Sequence, residues 1–187
     1  PVDEPLAYTY PDGIQRTYFN SYDNPFWSVN KNRNKTNLNR VISFAEVKLK
    51  ISKDISILNR LSVDYYSDRL KGYWDPQSNE YKDLGGKVIN EEVTQNNINN
   101  DFIVSYDSQL SEKWNLSVTA GFNYTDLNTY TLTLESYGFI IPGFYDISNT
   151  NIINAFADDY LSRQRGYGLY GNATLGFNRF LYLDLIG

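Results

Sequence analysis

Four carboxylates stand where catalytic or metal chemistry could be sought. Asp101 and Asp107 are the nearest approach to a glycosidase pair, but on one strand face they stand about 20 Å apart at ~3.3 Å per residue. Such chemistry needs carboxyl groups within roughly 5–9.5 Å. Asp158 and Asp159 are adjacent and could offer oxygen to calcium, yet the alternating ligand spacing of a calcium loop is missing, so a solvated loop end is the preferred reading. Leu84-Gly85-Gly86-Lys87 invites comparison with a phosphate-cradling loop; its spacing fails that motif and no helix pattern follows it, which leaves a turn. Tyr73 and Trp74, in KGYWDPQ, and Tyr81 in the same polar connection present rings that could stack on a sugar or other substrate, against the competing reading that they pack the connection. The chain has no Cys and no His. Ordinary zinc sites and Ser–His or Cys–His nucleophilic pairs cannot be built from it. No enzyme activity, metal or cofactor is expected.

The balance of 17 basic and 22 acidic residues, a formal charge of -5, lacks the basic face that nucleic-acid binding requires. Aromatic residues make up 16% of the chain, with Tyr foremost at 17; Tyr and Trp suit surfaces that are part apolar and part wet. The N-terminal residues contain no signal-peptide pattern and no stretch is long and apolar enough for a transmembrane helix. The chain stops at FLYLDLIG, inside an alternating run, and is expected to be a segment of a longer protein.

Period-2 alternation dominates. Residues 1–38 are rich in Asn, Asp, Pro and Tyr and read as a loop and strand entry, with a small hairpin at Asp12-Gly13. Strands are predicted over 40–52, 55–66, 97–108, 114–124 and 164–177, with a sixth from Phe180. The fourth is the clearest: Trp114, Leu116, Val118, Ala120, Phe122 and Tyr124 alternate with small polar residues. The connections 67–96 and 126–163 are long; an extra hairpin in the second and a helical turn within 151–161 are further expectations. The other connections are short.

Alternation alone fits a soluble β-sandwich as well as a membrane barrel turned inside out. Two features favour the barrel. Short and long connections alternate, as periplasmic turns and extracellular loops do. Trp114 and Tyr124 stand ten residues apart, about 33 Å along a strand, which a tilt of about 40° reduces to the ~25 Å apolar band. The opposite face carries Glu46, Lys48, Lys50, Arg60, Asp64, Asp101 and Asp107, charges that suit a wide, wet lumen better than a narrow, side-chain-filled one.

Several stretches carry a family likeness. Asn24-Pro25-Phe26-Trp27 precedes a strand pair; VISFAEVKLKISKDISILNRLSVDYYSD reads as strand, short turn, and strand ending in Asp-Tyr-Tyr. NNINNDFIVSYDSQLSEKWNLSVTAGFNY is an Asn-rich strand, turn and Gly-containing strand, and RQRGYGLYGNATLGFNRFLYLDLIG closes in Leu-Tyr-Leu-Asp, with Phe180 where the family pattern has Tyr. In order and spacing these resemble the SusC/RagA-type TonB-dependent transporters of Bacteroidetes outer membranes, over residues 20–187.

The resemblance implies an all-β fold: antiparallel up-and-down strands forming an arc of an about 22-stranded transmembrane barrel in the bacterial outer membrane. Residues 39–187 would supply wall, short periplasmic turns and long extracellular loops, with the plug domain outside this sequence. It further implies import of large nutrients (oligosaccharides or peptides), coupling to TonB through the plug, and a SusD-like surface lipoprotein as partner. Leu116, Val118, Ala120, Leu169, Ala173 and Leu175 are then expected to face outer-membrane lipid. Trp114, Tyr124, Tyr167 and Phe177 form the interface girdle, and Tyr73, Trp74 and Tyr81 are the candidates for substrate contact. Rival readings are a soluble β-sandwich that binds carbohydrate and a passive, porin-like barrel.

Overall fold

The computed structural model describes residues 8–17, 19 and 22–187. A single antiparallel sheet holds six strands in sequence order. These are β1 (Arg33–Lys50), β2 (Ile55–Trp74), β3 (Lys87–Gln109), β4 (Trp114–Tyr137), β5 (Phe156–Phe177) and β6 (Leu181–Ile186). β1 and β6 are the two ends of the order and do not pair with each other. A second sheet, which a sandwich requires across the apolar face, is absent among the described residues.

Three turns are tight. After β1, the amides of Ile51 and Ser52 donate to the carbonyl of Ile55, and Ser52 Oγ accepts from the amides of Asp54 and Ile55. After β3, the amides of Leu110 and Ser111 donate to the carbonyl of Trp114. Between β5 and β6, Asn178 and Arg179 both hold positive φ, 49° and 63°, the mirror-image turn geometry whose twist matches that of the strands it joins.

The other two connections differ from the sequence expectation. β2 runs on to Trp74 and β3 starts at Lys87, so the connection is 75–86 rather than 67–96; β4 runs to Tyr137 and β5 starts at Phe156, so the next is 138–155 rather than 126–163. Asp158 and Asp159, expected at a loop end, are exposed residues of β5. The added strand lengths are rich in polar residues, and the alternation they carry is confined to β4, where Tyr130, Leu132 and Leu134 alternate with Thr129, Thr131 and Thr133. They are joined instead by cross-strand polar contacts: Arg69 donates to Glu92 at 3.1 Å, and Tyr66 Oη and Thr129 Oγ1 both donate to Gln95 Oε1. The predicted extra hairpin is reduced to one bridge between Phe139 and Thr150. The helical turn within 151–161 is the short 3-10 segment Ile152–Asn154.

The N-terminal stretch is also more ordered than a loop. Thr9 bridges Gln15 and the amide of Gly13 donates to the carbonyl of Tyr10, forming the small hairpin expected around Asp12-Gly13. A helix, α1 (Pro25–Lys31), follows. Asn24 caps it, its side-chain oxygen accepting from the amide of Phe26 at 3.0 Å, and Pro25 sits in the first turn where its missing N–H costs nothing. Trp27 anchors the helix at 1% exposure. Two turns with one apolar anchor are too short for helical periodicity to register.

Contacts divide the chain into two units. One gathers Pro1–Asn39, Ser67–Thr94 and Tyr130–Leu161; the other gathers Arg40–Tyr66, Gln95–Thr129 and Ser162–Gly187. The second contains the strand stretches whose alternation is legible in the sequence. The first contains the strand continuations, α1 and the long connections. Fully buried apolar side chains are few: among the described residues the large ones are Trp27 and Val88.

Candidate functional site

The first region of interest is the apolar face of β4 and β5. Trp114 lies against Phe177 with ring centroids 4.7 Å apart, and Tyr124 against Tyr167 at 5.3 Å. The two pairs are ten residues apart on each strand, so one antiparallel register accounts for both. That register sets Leu116 opposite Leu175 and Val118 opposite Ala173. The β5–β6 pairing extends the patch, with Ala173 opposite Leu185 and Leu175 opposite Leu183. Leu169 is 85% exposed and Leu185 64%. This face is therefore a continuous apolar surface closed by an aromatic pair at each end.

The reverse face is small and polar. The ring of Tyr170 lies over Gly121 so closely that an added Cβ would meet its Cζ at 2.1 Å, and Asn115 occupies the equivalent space at Gly176. Most of the charges expected on this face, though not Lys48 and Lys50, have cross-strand partners. Arg40 meets Asp64 at 2.6 Å and Arg60 meets Glu46 at 2.8 Å. Asn123 Nδ2 donates to Asp101 at 2.7 Å, and Ser117 Oγ donates to Asp107. Asp101 and Asp107 thus have separate partners and form no catalytic pair.

Just past Tyr124, the apolar face changes character. Asp126 accepts from Arg163 through Nε at 3.0 Å and through Nη2, and from Arg165 Nε at 3.3 Å. Tyr124 Oη and Asn128 Nδ2 complete its shell. The sequence expectation misses this cluster because Asp126 and Arg163 fall in the predicted connection 126–163, with only Arg165 in a predicted strand. The available signal was spacing: Asp126 continues the parity of Tyr124, and Arg163 and Arg165 that of Tyr167.

The second region is the connection-bearing unit. Lys87, which follows the Gly85-Gly86 turn, points its Nζ at three rings, lying 5.7 Å from Trp74, 5.3 Å from Tyr81 and 5.5 Å from Tyr137. Glu135 closes the ion pair at 2.9 Å. Gly85 and Gly86 take φ of 75° and 88° after the 3-10 segment Lys82–Leu84, so the stretch is the turn expected and not a phosphate loop. The other ring candidate has a different partner: Tyr73 stacks on Tyr145 at 4.1 Å with planes 5° apart. Tyr145 Oη donates to Asp75, and its burial, followed by that bond, pushes the phenol well above its ordinary range. Beside it, Lys71 pairs with Asp146 at 2.7 Å.

The structure therefore brings Trp74 and Tyr81 together and sets Tyr73 apart from them. All three have structural duties. Trp74 also lines a groove with Asp23, Asn32, Asn79 and Glu80. Asp23 there is saturated, accepting from Gln15, Asn32, Ser78 and the amide of Asn79. No group of three or more acidic, His or Cys residues able to hold a metal exists among the described residues, and no helix is long and apolar enough to cross a membrane, which says nothing of crossing by strands.

No family model matches the sequence, and no curated protein matches it. Solved structures do match the fold. The RagAB peptide importer in its 'closed-closed' state aligns with a TM-score of 0.79 at 12% identity, over 98% of this chain and 20% of the importer's. The same importer in its 'open-open' state gives 0.74 at 14% identity over 98% and 20%, and the RagAB peptide transporter 0.72 at 13% over 95% and 19%. The sequence spans about a fifth of those chains. In fold, it is an antiparallel six-stranded piece of the kind found in these transporters.

Proposed function

We propose that the chain forms part of the wall and outward connections of a SusC/RagA-type TonB-dependent outer-membrane importer of large nutrients. The observation that carries this reading is the exposed apolar face of β4–β6, bounded by the Trp114–Phe177 and Tyr124–Tyr167 pairs. Apolar side chains on that scale are stable only against lipid or another apolar surface. The likeness to the RagAB peptide importer supports it, and favours peptides over oligosaccharides as cargo. Leu116, Val118, Ala120, Leu169, Ala173 and Leu175 face lipid, and the reverse face lines a wet lumen. A plug with its TonB-box and a SusD-like lipoprotein complete the importer. Trp74, at its groove beside Glu80 and Asn79, is the substrate-contact residue best placed to act; Tyr73 and Tyr81 shape the surrounding connections.

Spin labels placed singly at Leu116, Leu169 and Leu175 of the full-length protein in lipid test the wall. The expected result is accessibility to oxygen and protection from a water-soluble relaxation agent, with Ser117 and Thr119 showing the reverse. Equal access of the water-soluble agent to both sets would overturn the reading. A passive, porin-like barrel is separated by transport: uptake by the intact protein stops on loss of TonB in the importer and continues in the porin.

A further inference from the structure

Arg163 and Arg165 occupy an unusual place. They lie on the same face of β5 as Tyr167 and Leu169, four and two residues respectively beyond the Tyr124–Tyr167 pair. At ~3.3 Å per residue they stand about 7–13 Å along the strand from that pair, the depth at which a bilayer passes from acyl chain to headgroup. A lipid-facing position tolerates cationic side chains only near that interface.

Asp126 fixes both arginines without exhausting them. Its side chain is 8% exposed, whereas those of Arg163 and Arg165 are 50% and 47% exposed. Both its oxygens are taken by Arg163, Arg165, Tyr124 and Asn128. Nη1 of Arg163 and both Nη groups of Arg165 have no protein partner among the described residues. Two guanidinium groups around one shielded carboxylate leave a net positive, preorganised set of N–H donors. Guanidinium forks match phosphate oxygens in bidentate geometry, and basic clusters beside the apolar zone recruit anionic headgroups.

We infer that Arg163 and Arg165 bind the phosphate of an anionic lipid of the surrounding leaflet, with Asp126 as the positioning residue. The inference rests on the proposed membrane-wall reading. The aromatic pair below seats the acyl chains, so the lipid is held by headgroup and tail together. A free phosphate would gain only the first of these contacts.

The test uses the full-length protein in neutral detergent, titrated with monophosphoryl lipid A, with the same lipid stripped of its phosphate, and with inorganic phosphate, each read by native mass spectrometry. Arg163→Gln/Arg165→Gln is expected to weaken binding of the phosphorylated lipid at least tenfold, with the stripped lipid bound weakly and equally by both proteins. Arg163→Lys/Arg165→Lys is expected to recover part of the loss. Equal binding of the phosphorylated lipid by the original protein and the Gln variant overturns the inference, as does inorganic phosphate binding as tightly as the lipid. If the double variant does not fold, Arg165→Gln, which removes the longest of the three bonds to Asp126, carries the same comparison. The spin labels separate the two failures. Water at Leu169 removes the membrane wall and this site with it; lipid at Leu169 with unchanged headgroup binding removes the site alone.

Discussion

Lys87 shows how a single cation can organise a connection that has almost no apolar core. Its ammonium is held by Glu135 and faces Trp74, Tyr81 and Tyr137, and its side chain is only 13% exposed. A partly desolvated cation–aromatic contact is worth from about 0.5 to 2 kcal/mol, and removing one partner also leaves Glu135 half-buried without its cation. Lys87→Met keeps the stem and deletes the charge. It is expected to weaken local stability by about 1–3 kcal/mol, so that amide exchange over 82–90 and 135–139 accelerates roughly tenfold or more, with exchange in the wall stretches unchanged. Asp146 offers a second residue-scale test. Its hydrogen bond from Lys71, then those from the amide and hydroxyl of Ser148, lower its carboxyl from 3.8 to about 2. A depressed folded-state value means that the stabilisation is fully present above about pH 4 and is lost as pH falls through about 2. The carboxylate resonance of Asp146 should titrate near 2 in the full-length protein and move up toward the ordinary Asp value in Lys71→Met. A midpoint insensitive to that substitution would deny the ion pair any hold on the connection.

At the scale of elements, the glycine turn between β2 and β3 is the most constrained feature. Gly86 has φ of 88°, and an added Cβ would lie 2.8 Å from both the carbonyl oxygen of Trp74 and the ring of Phe139. Backbone cannot move aside as a side-chain tip can. Gly86→Ala should therefore cost more than the ~1–2 kcal/mol of left-handed strain alone, and open the paired amides: Gly138 and Phe139 donate to the carbonyls of Gly86 and Gly85. Protease sensitivity at 75–86 and 138–155 together is the expected readout; cleavage at neither would show that the turn relaxes freely. The sequence made this turn visible through Gly85-Gly86, and made the strand stretches of β1 to β5 nearest the short turns visible through alternation, because one face there is apolar and the other polar. It did not show that β2 to β5 continue past the apolar zone. Arg69, Glu92, Gln95 and Arg163 interrupt the period-2 contrast in β2, β3 and β5, and the short alternating run Tyr130, Leu132 and Leu134 of β4 reads from the sequence as part of an extra hairpin, so the strand character of these lengths rests on pairing that only the folded sheet provides. The same blindness hid the Asp126–Arg163–Arg165 cluster. Trp114, Tyr124, Tyr167 and Phe177 are large and share one parity on each strand, and in the structure they meet as two cross-strand pairs.

For the whole chain, the surface is the decisive quantity. It exposes 12989 Å², where a water-soluble folded chain of 21.6 kDa exposes about 9,200 Å². The excess comes with a nearly empty core and with exposed apolar residues along β5 and β6, among them Leu169, Leu183 and Leu185. At ~25 cal/mol per Å², each 1,000 Å² of apolar surface left in water forgoes about 25 kcal/mol, more than the entire ~5–15 kcal/mol that stabilises an ordinary domain. Among the described residues β1 and β6 leave two unpaired edges, each a template for association. Residues 1–187 produced alone in water are therefore expected to aggregate, and detergent is expected to hold them in solution by covering the apolar face without supplying the missing strand partners. Sedimentation in buffer and in detergent checks this directly. A monodisperse, folded monomer in buffer would mean that the chain buries its own apolar face, and the membrane wall would have to be abandoned in favour of a self-sufficient soluble domain.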